Sequence, residues 1–202
     1  MKKYSADELF KIAYSHLQKK EFVKSTQLFE KLLKDYPDNL SLLRNISHAY
    51  AFSGAFQKAE ESIKKMIKIK PDEPFAYQFL ASVLKSQDKI TEMIKIVNEG
   101  LEKNLINKKW EFQKKLLSPL IAGDKKEIDD YRKKIEKGLE EIINSDIKLD
   151  YDNDQVISPP LFELTYTDKD NLEINKKMVK ALKKIYQPLN LKIAINQKLN
   201  DK

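Results

Sequence analysis

The sequence contains no cysteine. It can therefore form neither a disulfide bond nor a cysteine-containing metal site, and thiolate catalysis is excluded. Its two histidines lie in no recognisable catalytic triad or metal-binding motif. Glycine is also scarce, with 4 residues in 202, and this disfavours an all-β fold rich in glycine turns. We accordingly expect this chain alone not to be an enzyme and to hold no cofactor.

Long apolar runs are missing too. No stretch approaches the roughly 18 apolar residues that a membrane-spanning helix needs. The chain begins with a basic pair, Lys2 and Lys3, but the apolar segment of a signal peptide does not follow it. We therefore expect a cytoplasmic protein that has no membrane partner.

The net charge is +7, but the basic residues are not gathered in one place. Lysines are mixed with aspartates and glutamates along the chain, and there is no arginine cluster or aromatic–basic platform. Charged residues make up 34% and hydrophobic residues 41%, a mixture typical of soluble helical proteins with solvated faces. This distribution favours solvated surfaces over a nucleic-acid site, so we expect no nucleic-acid partner.

A period of 34 residues organises the first half of the chain. Pro37 and Pro71 lie 34 residues apart, and apolar or small residues recur at the same spacing. The recurring sets are Leu9, Leu43 and Tyr77; Ile12, Ile46 and Leu80; Ala13, Ser47 and Ala81; Phe22, Phe56 and Ile90; and Phe29, Ile63 and Val97. Each period contains apolar residues at helical spacing, which predicts two amphipathic helices per repeat.

The central period resembles the tetratricopeptide repeat (TPR) family most closely. The segment Leu43-x-x-Ile46-Ser47-x-x-Tyr50 matches the first helix, and Gly54 matches the turn. The resemblance implies three stacked helical hairpins, at residues 6–39, 40–73 and 74–107. The third repeat is degenerate, since Met93, Gly100 and Leu105 depart from the pattern.

Residues 108–146 continue the helical pattern and are interpreted as an atypical capping helix pair. Asp124 is the expected N-cap of its second helix, and Trp110 is expected to pack in the core. A polar linker is expected at 147–160. Its aspartates, Asp150-x-Asp152-x-Asp154, resemble part of a calcium loop, but Gln155 and Leu161 occupy the positions of the loop glycine and the bidentate glutamate. We expect a solvated acidic loop and no metal site.

Residues 161–166 alternate in polarity, which predicts a short strand. A helix is expected after it, ending before Pro188. The predicted fold is thus an all-α TPR solenoid with a C-terminal strand-plus-helix appendage in residues 161–202.

The segment Pro159-Pro160-Leu161-Phe162-Glu163-Leu164-Thr165-Tyr166-Thr167-Asp168, with the helix after it, resembles bacterial SPINDLY-like, O-linked N-acetylglucosaminyltransferase-type proteins. In that family TPR repeats lead into a glycosyltransferase domain. The resemblance implies a protein- or peptide-binding module that recruits substrates or partners for a glycosyltransferase-like protein. None of the matching positions is catalytic. The alternative is a free-standing TPR adaptor or scaffold.

The ligand surface of stacked TPR hairpins is lined by their first helices. The residues of these helices that the hairpin core does not use are expected to face a peptide-binding groove; they are Lys11, Tyr14, Gln18, Arg44, Asn45, His48, Gln78, Phe79 and Ser82. Of the asparagine ladder in the glycosyltransferase relatives, this set retains Asn45 alone. It is mainly a cationic and aromatic strip around Arg44, whose planar fork suits a carboxylate.

Overall fold

The structure, a computed structural model, describes residues 4–117, 124–149, 164 and 170–186. The chain divides into two compact units, Met1–Ile106 and Asn107–Lys202. The first unit holds six helices, in which each helix packs against the next along the chain. They are α1 (Ala6–Gln18), α2 (Phe22–Asp35), α3 (Leu40–Phe52), α4 (Phe56–Ile69), α5 (Pro74–Ser86) and α6 (Ile90–Glu102). The result is three consecutive helical hairpins.

The turn inside each hairpin repeats the same backbone conformation. Lys20, Gly54 and Asp88 have φ values of 60°, 82° and 57°, all in the left-handed region. These three residues lie 34 positions apart, so the backbone repeats with the period found in the sequence. Only glycine adopts this conformation without a steric cost, and Gly54 is the one glycine among the three.

Side chains fix where several of these helices begin. Ser5 and Glu8 form a reciprocal capping box at α1, with N–H···O distances of 3.2 Å to the Ser5 hydroxyl and 2.8 Å to the Glu8 carboxylate. Asn39 caps α3 by accepting a 3.0 Å hydrogen bond from the Leu42 N–H. Pro74 stands at the first turn of α5, where its missing N–H costs nothing.

The core of the first unit depends on small residues at the helix contacts. Ala13, Ser47 and Ala81, which recur at the 34-residue period, are completely buried, and so is Ala59. The hydroxyl of Ser25 on α2 donates a 2.9 Å hydrogen bond to the Ala13 carbonyl on α1. Side chains of this size let the two helices of a hairpin approach closely.

A buried carboxylate ties the second hairpin to the third. Glu60 on α4 accepts hydrogen bonds from Lys64 at 2.5 Å, Lys89 at 2.7 Å and the Gln87 amide at 2.8 Å. Burial by itself raises the pKa of Glu60, but these three donors outweigh it and hold the pKa at about 2. Glu60 is therefore ionised and fully paired at neutral pH.

The second unit contains α7 (Lys109–Gln113), a single 3-10 turn (Lys114–Leu116), α8 (Lys125–Ile143) and α9 (Leu172–Ile185). Asp124 caps α8 by accepting a 2.8 Å hydrogen bond from the Glu127 N–H, which confirms that prediction. Trp110 is buried, as expected. No helix in the described parts of the chain is long and apolar enough to cross a bilayer.

The predicted strand-plus-helix appendage is not supported. Leu164 is the one residue of 161–166 that the structure describes, and it is helical; the others, like Asp150, Asp152 and Asp154, lie outside the described residues. The following helix exists as α9, but it is no appendage. Its apolar face is buried in one core with α8 and the 3-10 turn: Leu116, Ile135, Leu139, Ile142, Leu164, Ile174, Met178, Ala181 and Ile185. Leu164 is helical and buried in this core, whereas the alternation at 161–166 predicted a strand residue there.

Candidate peptide-binding groove

The nine predicted groove residues all lie on α1, α3 and α5, and none of them is buried. Asn45, His48 and Phe79 are half-buried, and the other six are exposed. This surface, carried by the first helix of each hairpin, is called the groove face below. Its side chains are accessible to a ligand.

Four of the nine line one pocket between the first two hairpins. Tyr14 and Gln18 come from α1, and Asn45 and His48 come from α3. The pocket has a volume of about 490 Å³. Four further residues complete its wall, none of them predicted: Leu17, Lys20, Phe22 and Phe52.

A stack of rings runs from the first hairpin to the third. The imidazole of His48 lies 4.4 Å from the ring of Phe79, measured between centroids, and 5.9 Å from that of Phe52. Phe75 follows Phe79 at 5.2 Å, and Phe22 lies 5.6 Å from Phe52. These five residues, here called the aromatic stack, draw on α2, α3 and α5.

Arg44 stands at one end of the aromatic stack. The central guanidinium carbon lies 4.1 Å from the centroid of Phe75, a cation–π contact between α3 and α5. The contact holds the planar fork in place while Arg44 stays exposed. A guanidinium held this way loses less conformational entropy when it binds a carboxylate.

His48 is neutral at physiological pH. Burial among the aromatic rings lowers its pKa, and the nearby positive charge of Arg44 lowers it further. A neutral imidazole can stack with Phe79. The guanidinium of Arg44 is then the charged group of α3.

The groove face is cationic because its helices carry few acidic residues. Neither α3 nor α5 contains an aspartate or a glutamate, and the two in α1 are Asp7 and Glu8, in its first turn. Among the described residues, no carboxylate lies within ion-pair distance of Lys11, Lys20 or Arg44. By contrast, Lys64 on α4 and Lys89, just before α6, are both paired with Glu60. The groove face therefore attracts anions.

Three predicted residues stand apart from this arrangement. Lys11 and Gln78 are exposed but line neither the pocket nor the stack. The Ser82 hydroxyl donates to the Gln78 carbonyl of its own helix at 3.1 Å.

The Asn45 amide lines the pocket, but its nitrogen donates to the Ser41 carbonyl at 2.8 Å, so part of its bonding capacity is used within α3.

No protein-family model and no curated protein matches this sequence. Solved structures do match. The chain is similar to the crystal structure of MamA protein, with a TM-score of 0.56 and 20% identity over 89% of this chain and 91% of that chain. The fold is TPR-like.

Two further TPR-like neighbours are more distant. The Sgt2 TPR domain from Aspergillus fumigatus has a TM-score of 0.45 and 18% identity, over 75% of this chain and 89% of that one. An O-GlcNAc transferase mutant from Thermobaculum terrenum has a TM-score of 0.45 and 15% identity. That match covers 65% of this chain and 27% of the transferase.

Sequence reasoning missed Phe52 and Phe75 on this TPR-like groove face, although a signal was present. Arg44, His48 and Phe52 follow one another at intervals of four residues on α3. Residues with this spacing lie on one side of a helix, so the side that carries Arg44 and His48 also carries Phe52. Phe75 stands four residues before Phe79 in the same way.

A metal centre has no support within 4–117, 124–149, 164 and 170–186. No group of three histidine, aspartate or glutamate side chains there could hold a metal ion. His16 is paired with Glu21, and His48 belongs to the aromatic stack. The groove face offers stacking, cationic hydrogen bonds and apolar contact.

Proposed function

We propose that this chain is a protein- or peptide-binding TPR module whose groove face holds an acidic segment of its partner. The observation that carries the proposal is the guanidinium of Arg44, which stacks on Phe75 and has no carboxylate of the described residues within ion-pair distance. Neither α3, which carries Arg44, nor α5, which carries Phe75, contains an acidic residue. A carboxylate meeting this surface gains charge-assisted hydrogen bonds and meets no opposing charge from α3 or α5.

The geometry favours a polypeptide over a small molecule. The pocket and the aromatic stack together extend across all three hairpins, from Tyr14 on α1 to Phe75 on α5. An extended segment can touch such a surface at several points, while a compact ligand would occupy the pocket alone.

The proposal is tested with fluorescein-labelled hexaglutamate, titrated with the 202-residue chain at low salt and followed by fluorescence anisotropy. The Arg44→Ala variant should bind about 10- to 100-fold more weakly, the range expected for losing a charged hydrogen bond. Lys68→Ala on α4 is the matched control, because Lys68 is an exposed cation on a second helix. Equal affinity in wild type and Arg44→Ala would place the site elsewhere.

The parent protein of this module is a separate proposal. The sequence resemblance at residues 157–188 supports a glycosyltransferase-like protein in which the TPR-like part recruits substrates or partners. A free-standing adaptor is the alternative. Reading the gene beyond the codon for Lys202 separates them, since a nucleotide-sugar transferase domain in the same frame supports the first and a stop codon supports the second.

A further inference from the structure

The pocket between the first two hairpins is more apolar than an acidic ligand alone requires. Leu17, Phe22 and Phe52 form part of its wall, together with the ring of Tyr14. Phe52 is 62% exposed and Tyr14 is 43% exposed. Rings gathered around one cavity, rather than scattered singly over a surface, indicate a contact site for an apolar group.

The charge in the pocket wall disfavours a cationic occupant. Aromatic rings can hold an ammonium group by cation–π attraction. Here Lys20 belongs to the wall itself, and the wall contains no carboxylate. In addition, Phe22 and Phe52 are stacked on each other, so each covers one face of the other. The pocket suits a neutral apolar group with an anion beside it.

The size and the polar rim of the pocket fit a side chain of a bound peptide. Its volume of about 490 Å³ lies within the range of ligand-binding pockets and exceeds what one water or ion needs. The amides of Gln18 and Asn45 lie in the same wall as Lys20. Such groups can bond peptide carbonyl oxygens and a carboxylate next to the buried side chain.

We propose that this pocket is a specificity site that receives one large apolar side chain of the acidic segment, with an adjacent carboxylate paired to Lys20. The inference rests on the proposed function and adds the sequence preference of the ligand. The partner motif is then a leucine-sized or aromatic residue flanked by aspartate or glutamate. A segment with alanine at that position should bind about tenfold or more weakly, because little apolar surface would be buried.

The test compares three blocked synthetic peptides: Gly-Glu-Glu-Leu-Glu-Glu-Gly, the same peptide with alanine replacing leucine, and the same leucine peptide with lysines replacing all glutamates. Each is titrated into the 15N-labelled 202-residue chain at low salt, and affinities are taken from the amide shifts. Phe52→Ala should lower the affinity for the leucine peptide to about that for the alanine peptide, and should lower the affinity for the alanine peptide much less. Val23→Ala is the matched control, because Val23 is an exposed apolar residue outside the pocket wall.

The outcomes separate this inference from the proposed function. A leucine preference that Phe52→Ala abolishes and Val23→Ala preserves supports the specificity site. If the leucine and alanine peptides bind equally, the specificity site is overturned. If Arg44→Ala also weakens the binding of both, the proposal that the groove face binds an acidic segment is still supported. Absence of shifts with either acidic peptide at millimolar concentration overturns both, as does stronger binding of the lysine peptide.

Discussion

The imidazole of His48 and the ring of Phe79 lie 4.4 Å apart, stacked at 26°, although they are 31 positions apart in the sequence. The contact joins α3 to α5 across the groove face. It places a titratable ring inside an aromatic stack, next to Arg44.

Protonation of His48 should therefore weaken the fold. Its pKa in the folded chain is lower than the value near 6.5 that it has when unfolded. As the pH falls below about 6.5, the unfolded chain binds a proton that the folded chain resists, so the free energy of unfolding decreases. Urea unfolding at pH 7.5 and pH 5.5 should show this decrease in wild type and a smaller one in His48→Gln. Asn45→Ala, a neighbouring change, should keep the full decrease.

Glu60 should control stability at lower pH. Its pKa of about 2 in the folded chain lies below the ordinary value of 4.5. The stabilisation is complete above the unfolded pKa and is lost as the pH falls from about 4.5 towards 2, with a size on the order of 2–3 kcal/mol. Glu60→Gln should be less stable than wild type at pH 7 and should lose less stability in acid. Glu61 is the exposed neighbour of Glu60. If Glu61→Gln changed the loss of stability in acid as much as Glu60→Gln does, Glu60 would not be the group responsible.

A substitution at the left-handed turn residue Lys20 should stabilise the fold. Lys20 adopts the backbone conformation that Gly54 adopts one repeat later. Lys20→Gly should raise the free energy of unfolding by about 0.5–1 kcal/mol, because glycine avoids the steric cost of this region. Gly54→Ala should lower it by about 1 kcal/mol through conformation alone, since nothing lies within 4 Å of the added methyl group. Melts in which both changes had the same sign would contradict this explanation.

In the second unit, Gly138 lies at a backbone contact that leaves no room for a larger side chain. A Cβ atom there would lie 2.6 Å from the carbonyl oxygen of Lys115, which belongs to the backbone and cannot rotate away. Gly138→Ala should destabilise by about 1–3 kcal/mol, even though alanine favours helix in an open position. Lys137→Ala, an exposed change on the same helix, should be close to neutral in the same thermal melt. A Gly138→Ala variant as stable as wild type would mean that α8 and the 3-10 turn are further apart.

The hairpins of the first unit were predictable because residues of similar type recur every 34 positions at many places in the sequence. The small residues Ala13, Ser47 and Ala81 identify the close helix contacts, and those residues are buried. The left-handed conformation at Lys20 was not predictable from its residue type, because lysine rarely adopts it; aspartate, the residue at position 88, adopts it more often. At both positions the turn is closed locally, because the N–H groups of Glu21 and Lys89 donate to the carbonyls of His16 and Leu84 at 2.9 and 3.0 Å.

The groove face was only partly predictable. The helical period shows which side of α3 carries Arg44 and His48, but the stacking of His48 on Phe79 depends on how α3 and α5 approach each other. No pattern within one helix specifies that approach. The strand prediction around Leu164 failed for a related reason, since a short alternation of apolar residues is compatible with more than one element and the surrounding core decides.

The most direct test of the account is to map where an acidic peptide binds. The 15N-labelled chain is titrated with unlabelled hexaglutamate, and amide shifts are recorded residue by residue. We expect the largest shifts on α3 and α5 around Arg44, His48 and Phe79, with α4 and α6 little affected. Shifts confined to the second helices or to residues 107–202 would contradict the claim that the groove face is the binding surface.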